Sequence, residues 1–180
     1  PRTPRRAGDW AEWDGWSALL IACCYVDLAI ARLLLDAGAS TELRVDKGGR
    51  TVLMGIAGSP AHLPAQGPAA ELLLDYGAEV NAVDDDGVTP LLWAADKGNT
   101  AMVETLLARG ANVHMKTTAG DNALVLAVAQ GHLDTARALL EAGADADSTN
   151  QQSFTVAKIA VLKKNVPMLQ LLLRYGASAA

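Results

Sequence analysis

Five glycine-alanine pairs, Gly38-Ala39, Gly77-Ala78, Gly110-Ala111, Gly143-Ala144 and Gly176-Ala177, each close a leucine-rich segment: LLLDAGA, LLLDYGA, LLARGA, LLEAGA and LLLRYGA. Their spacings are 39, 33, 33 and 33 residues. A step of that length, held along a chain, is the signature of a stacked array rather than of one globular core. A second series, DGWSALLIACCYVD, GGRTVLMGIAG, DGVTPLLWAADKGN, AGDNALVLAVAQGH and QSFTVAKIAVLKKN, sets its turn residue 23 before the closing glycine in every copy except the second, where the gap is 28. The longer first spacing places five extra residues within Ser59 to Pro68 and one near Arg44 to Asp46.

The third copy shows how one unit is built. Asp84, Asp85, Asp86 and Gly87 make a tight turn, with Gly87 free to take positive φ because it lacks a Cβ. Thr89 stands where a helix needs an N-cap oxygen, and Pro90 takes the first helical position, where its missing N–H is no loss. Ala94 and Ala95 give this first helix a thin side, and Trp93 falls inside its apolar pattern as a core residue. A second helix carries Met102, Val103, Leu106 and Leu107 at helical spacing and stops at Gly110 in the left-handed conformation. Apolar residues make up 51% of the chain with a single Phe, so Ala and Leu must build the core, and both favour close-packed helices. Two short helices and a turn cannot bury their apolar faces alone, so neighbouring units must stack.

TPLLWAADKGN followed by GANV, and GDNALVLAVAQGHLDTARALLEAGAD one step later, resemble the ankyrin repeat and its T-P-L-H-x-A-A, G-H and L-L-x-x-G-A-D-V-N pattern. The resemblance covers about residues 12–180 and implies an all-α solenoid of stacked helix-turn-helix repeats with projecting β-turn tips, in units of about 12–45, 46–83, 84–116, 117–149 and 150–180, after a basic, proline-containing lead over 1–11. The chain departs from the pattern where Leu92, Val125 and Lys158 stand in place of histidine, Asn122 in place of the capping Thr, and Ala157 in place of a core Leu. The last departure makes the fifth unit the most loosely packed.

Composition and motifs argue against other functions. A net charge of −5 does not suit a nucleic-acid groove, and Arg2, Arg5 and Arg6 and the cluster Lys158, Lys163, Lys164 are too small for a basic stripe. The longest apolar run, Ala18 to Val26, is too short to insert in a membrane, and extending it takes in Asp27 and Arg32. Adjacent Cys23 and Cys24 read as reduced core thiols of an intracellular, cytoplasmic or nuclear protein. His62, His114 and His132 are far apart, zinc, phosphate-loop and nucleophile-elbow motifs are missing, and the acids Asp84 to Asp86 lack the ligand spacing of a calcium loop, so they read as a solvated corner. We expect no catalysis, no metal and no cofactor.

The resemblance implies a protein or peptide partner held on a concave surface of turn tips and first helices. Those positions carry Trp13, Trp16, Tyr25, Arg50, Asp85, Asp86, Val88, Asp96, Lys97, Asp121, Gln151 and Phe154. The aromatic residues would anchor a segment, and Asp85, Asp86, Asp96 and Asp121 would select basic residues in it. Trp10, Trp13 and Trp16 equally suit a second role, covering the open end of the first unit. Leu171 to Leu173 spread too far round the last helix for one narrow stripe, whereas Leu33 to Leu35 and Leu72 to Leu74 do so on helices between two neighbours. Further repeats after Ala180, or self-association, would cover the end, with Leu171 at the contact. Beside a free-standing interaction module stands the alternative of a targeting or regulatory segment of a larger enzyme or channel.

Overall fold

The computed structural model describes residues 17–178 apart from 26, 45 and 60–65, and Tyr25 by its backbone alone. Trp10, Trp13, Trp16, His62 and the Tyr25 side chain therefore lie outside the described residues. Helices come in pairs: α1 (Ala18–Tyr25) with α2 (Leu28–Asp36), α3 (Val52–Ala57) with α4 (Gln66–Asp75), α5 (Pro90–Lys97) with α6 (Thr100–Ala108), α7 (Ala123–Gln130) with α8 (Leu133–Glu141), and α9 (Val156–Leu162) with α10 (Val166–Arg174). First helices pack on first helices and second on second, always between neighbouring units. The protein is an all-α solenoid, and the described residues contribute only isolated β-bridges at its turns, Arg44 with Thr51, Lys116 with Asn122 and Thr149 with Thr155.

Side-chain caps start the helices where the turn residues predict them. Thr89 Oγ1 accepts from Leu92 N at 3.2 Å, and Asn122 Oδ1, standing in for threonine, accepts from Val125 N at 2.9 Å. The longer Asn side chain also donates to Ser148 Oγ at 2.7 Å, which ties the start of α7 to the tail of its own unit. Asn99 and Asn165 cap α6 and α10 in the same way. His132 heads α8 without a capping bond; its Nε2 lies 3.0 Å from the Asp96 carbonyl oxygen of the preceding unit.

Stacking is closed by small residues at the first-helix interfaces. Ala94 and Ala127 have no exposed surface, and a Cβ on Gly55 would come within 2.8 Å of Leu20 Cδ1. On the second-helix side a residue beside the closing glycine reaches back one unit: Tyr76 to Asp36, Arg109 to Asp75 at 2.8 Å and Tyr175 to Glu141 at 3.4 Å. Turn tips are joined through the backbone, with Asp85 N donating to Gly48 O and Thr118 N to Asp86 O, both at 3.0 Å.

Cys23 and Cys24 are free and buried in this core. Burial, with the neighbouring Cys24, pushes the Cys23 thiol up to about 12, and burial raises Cys24 although a hydrogen bond with Ser59 opposes it. The thiolate is the reactive form. Ellman's reagent at pH 8 is therefore expected to leave the folded protein nearly unlabelled and to titrate both thiols in denaturant.

Unit five departs from its neighbours at two backbone positions. Gly87 and Gly120 take positive φ at the turn, and Gly98 and Gly131 take it between the helices. One step on, Ser153 (φ 61) and Lys164 (φ 55) must adopt the same left-handed conformation with a Cβ attached. That conformation costs a non-glycine residue about 1–2 kcal/mol, part of which glycine returns as unfolded-state entropy. Ser153→Gly and Lys164→Gly are each expected to raise stability by about 0.5–1 kcal/mol, read as a higher urea midpoint with an unchanged slope.

Two expectations about leucines need correction. Leu171 and Leu172 are buried, and the leucine left open on α10 is Leu173, at 45% exposure. The side chains of 171 and 172 point back onto α8 and α9, and the 100° step carries 173 past that contact. Leu33 is 67% exposed because α2 packs only on α1 and α4, so it has no second neighbour among the described residues.

Candidate partner-binding surface

The turns preceding α3, α5, α7 and α9 are each tied by one side-chain oxygen. Asp46 Oδ1 accepts from Gly48 N and Arg50 N, Asp84 Oδ1 from Asp86 N and Val88 N, and Asn150 Oδ1 from Gln152 N and Phe154 N, at 2.8–3.1 Å. Thr117 Oγ1 accepts from Asp121 N at 3.3 Å. Side chains of this kind hold a tight turn by imitating its backbone bonds. The geometry carries Arg50, Val88, Asp121 and Phe154 to the same place in four successive units, each half-buried.

Asp84 is thus not a solvated decoration of the corner. It is 7% exposed, and its Oδ2 also accepts from Trp93 Nε1 at 3.0 Å. Asp85 and Asp86 are the exposed acids of the tip, and Gln151 is exposed on the tip of unit five.

Trp93 also needs correction: it is half-buried, and it lies on the turn side of α5 rather than in the core. Leu91, Leu92, Ala94 and Ala95 fill the buried arc of α5, leaving the position between them to face the turn. The Arg50 guanidinium lies 5.1 Å from its ring centroid and the Lys97 ammonium 5.7 Å. Stepping by 33 puts Leu126 and Ile159 at the same position in the next two units.

The charges are mostly engaged with each other. Lys97 Nζ is 2.8 Å from Asp96 Oδ2, and Gln130 Nε2 donates to Asp96 Oδ1 at 2.9 Å. Burial alone would raise the Asp96 pKa, but the bonds from Lys97 and Gln130 and the nearby charges of Lys97 and His132 hold it below the ordinary value. At Asp46 burial is likewise outweighed by Arg50, which donates from its backbone and its guanidinium. The middle of the surface is therefore a mixture of paired charges around an indole.

Depressed carboxylate pKa values contribute stability that is present above the unfolded value, near pH 4, and is lost as pH falls through the folded value. Acid titration of the melting temperature is expected to show a decline below about pH 4 that is shallower in an Asp46→Asn/Asp96→Asn double variant.

Between units four and five the surface opens into a groove of about 320 Å³. Leu126, Ala129, Ile159 and Leu162 form its floor, and Phe154 forms a wall with Lys158 Nζ 4.1 Å above its ring. Asp121 and Lys163 also line it. Asp121 Oδ1 is buried with no hydrogen-bond partner. The structure thus brings Asp121 and Phe154 together in this groove and Arg50, Asp96 and Lys97 around Trp93, while Asp85, Asp86 and Gln151 stand on the tips. Sequence reasoning missed Trp93, Leu126, Ile159 and Leu162, which a row-by-row reading at 33-residue steps would have placed on one face.

Among the described residues no helix is long and apolar enough to cross a membrane, and no group of three or more His, Cys, Asp or Glu could hold a metal ion.

Family models described as ankyrin repeats match residues 14–46 (a single repeat), 44–117 (three copies) and 124–173 (many copies). The chain is 35% identical over 91 residues, 49% of its length, to the platypus (Ornithorhynchus anatinus) ankyrin repeat, SAM and basic leucine zipper domain-containing protein 1. It is 36% identical over 95 residues, 51% of its length, to human ankyrin repeat domain-containing protein 63. These stretches amount to 18% and 23% of the relatives' own lengths. Ankyrin repeats are in general non-catalytic modules of protein–protein interaction.

Proposed function

We propose that this chain, which belongs to the ankyrin repeat family, grips a partner protein on the face made by its turn tips and first helices. One observation carries the reading. Positions that stack the units are buried and keep their chemistry from unit to unit, whereas the row Arg50, Val88, Asp121, Phe154 stays accessible and changes from basic to apolar to acidic to aromatic. Such a row can vary for recognition because the buried positions that stack the units lie elsewhere.

Basic residues in the partner remain the better complement for the tips, since Asp85 and Asp86 are exposed and neither carboxylate is engaged in a salt bridge. Asp85→Lys/Asp86→Lys is expected to weaken binding of a partner recovered with the array, to flatten the salt dependence of its affinity, and to leave the melting temperature unchanged. Unchanged affinity would remove the charge reading. Trp13→Ala and Trp16→Ala, assayed beside it, separate anchoring of the partner from covering of the first unit: the first lowers affinity alone, the second lowers the melting temperature.

Val161, Val166 and Leu173 are 57%, 60% and 45% exposed, while Val128 and Leu140, one step earlier than Val161 and Leu173, are 1% and 5% exposed under unit five. This end face has the composition of a stacking surface. A second copy seated there is expected to give concentration-dependent sedimentation that Leu173→Glu abolishes; a monomer throughout would leave a further repeat as the covering element. The short fraction of each relative that aligns supports a second reading, in which the array serves a longer polypeptide as its targeting or regulatory segment.

A further inference from the structure

We propose that the groove between units four and five receives an extended peptide segment carrying an arginine and, three or four residues away, an acidic side chain, with an apolar side chain between them. The proposal rests on the reading that the turn-side face binds protein, and it assigns that binding to one groove and one chemistry.

The floor decides the middle of the ligand. Leu126, Ala129, Ile159 and Leu162 come from the facing sides of α7 and α9, and Leu162 is 62% exposed. Apolar surface of this kind gains by covering with an apolar side chain. A volume of about 320 Å³ suits a side chain of leucine to aromatic size together with its backbone.

Asp121 decides one end. A buried carboxylate oxygen without a donor is an unfavourable arrangement that a ligand's N–H groups relieve. Among cations, guanidinium is the better fit to a half-buried carboxylate, because it is more weakly hydrated than an ammonium and presents a planar fork. The corresponding positions in units two and three are Arg50, already paired with Asp46, and Val88, so no other unit offers a free acid there.

Lys163 decides the other end. It caps the C-terminus of α9, whereas Asp121 precedes the N-cap of α7, so the two charges stand at opposite ends of parallel first helices. They are not within ion-pair distance of each other. An eight-residue helix such as α7 rises about 12 Å, and an extended chain covers that in three or four residues at about 3.3 Å each. A cation placed next to Lys163 would be repelled, which puts the arginine at Asp121 and the acid at Lys163.

Selection of a displayed library of random decapeptides on the immobilised array tests this. The expected outcome is enrichment of sequences with arginine and an acid three or four residues apart around an apolar residue. A synthetic peptide of the enriched sequence should bind Asp121→Asn and Leu126→Glu at least about tenfold more weakly, Lys163→Gln more weakly too, and its own Arg→Lys variant more weakly than itself. Asp121→Asn should melt no lower than the parent protein, because no partner is lost. Enriched sequences without the charged pair, or equal affinity for Asp121→Asn, would overturn the proposal. If the selected peptides lose affinity only for Asp85→Lys/Asp86→Lys or Trp93→Ala, the groove assignment fails while binding on this face stands. No enrichment at all would overturn both.

Discussion

Leu124→Ala is expected to lower stability by about 3 kcal/mol, and to do so by weakening two unit interfaces at once. Leu124 has no exposed surface, and its helix α7 packs on α5 in the unit before, on α9 in the unit after and on its own partner α8. Truncating a fully buried leucine removes its transfer free energy and leaves a cavity, together about 2–5 kcal/mol. The array contains small, close-fitted helices, so collapse around the hole is limited by Ala127 and Ala94, which already hold the backbones together. Urea unfolding followed by circular dichroism should show the drop in midpoint.

Because contacts run only between neighbours, the effect should also be uneven along the chain. Unit five is tethered through unit four alone and already carries Ser153 and Lys164 in left-handed backbone. Amide exchange in Leu124→Ala is therefore expected to accelerate in α9 and α10 before it accelerates in α3 and α4. Leu173→Ala, the same change on a half-exposed leucine, should shift stability by less than about 0.5 kcal/mol. Equal effects of the two changes would contradict the placement of the core.

What could be read in the sequence follows from what a period can report. A repeated residue reports a repeated contact, and the caps Thr89 and Asn122, the closing glycines and the stacking alanines all recur, so helices and their pairing were legible. Asp84 and Asp85 are adjacent and chemically identical, yet one is buried beneath an indole and the other is on the tip. The difference lies in the turn's bonds to Val88 and Trp93, which span four and nine residues and follow no helical pattern. Trp93 was assigned to the core for a related reason. In PLLWAADK the charged residues are confined to the last turn, so no polar face runs along the helix to mark its outside, and contact with Arg50 of the unit before shows which way the indole points.

The groove was less legible still. Its floor joins residues 33 apart, Leu126 with Ile159 and Ala129 with Leu162, each of which looks like ordinary core within its own helix. Asp121 is one of four acids read as selecting basic residues, but Asp96 is engaged by Lys97 and Gln130, Asp85 and Asp86 stand exposed on the tip, and of the four only Asp121 lines the groove. The site is therefore defined less by where acids occur than by which acid the stacking of two units brings to a shared groove, and that juxtaposition is a property a single unit does not contain.

That dependence between units gives the second large effect its form. Gly98→Ala is expected to cost about 3 kcal/mol, more than Gly131→Ala, although both glycines end a first helix at similar positive φ, 68° and 84°. Left-handed backbone accounts for about 1 kcal/mol at either site. The excess at Gly98 comes from the next unit: a Cβ there would lie 2.4 Å from His132 Nδ1 and 2.5 Å from its Cγ, whereas at Gly131 the nearest atom is Asn165 Nδ2 at 3.7 Å. His132 cannot turn aside freely, since Nε2 is held at the Asp96 carbonyl oxygen. In a His132→Ala background the clash is gone, so Gly98→Ala should then cost only about 1 kcal/mol, and the difference is the coupling energy between the two units at this junction. Additive effects in the double-mutant cycle would mean that the imidazole does not sit over Gly98, and that the glycines ending α5 and α7 answer to backbone conformation alone.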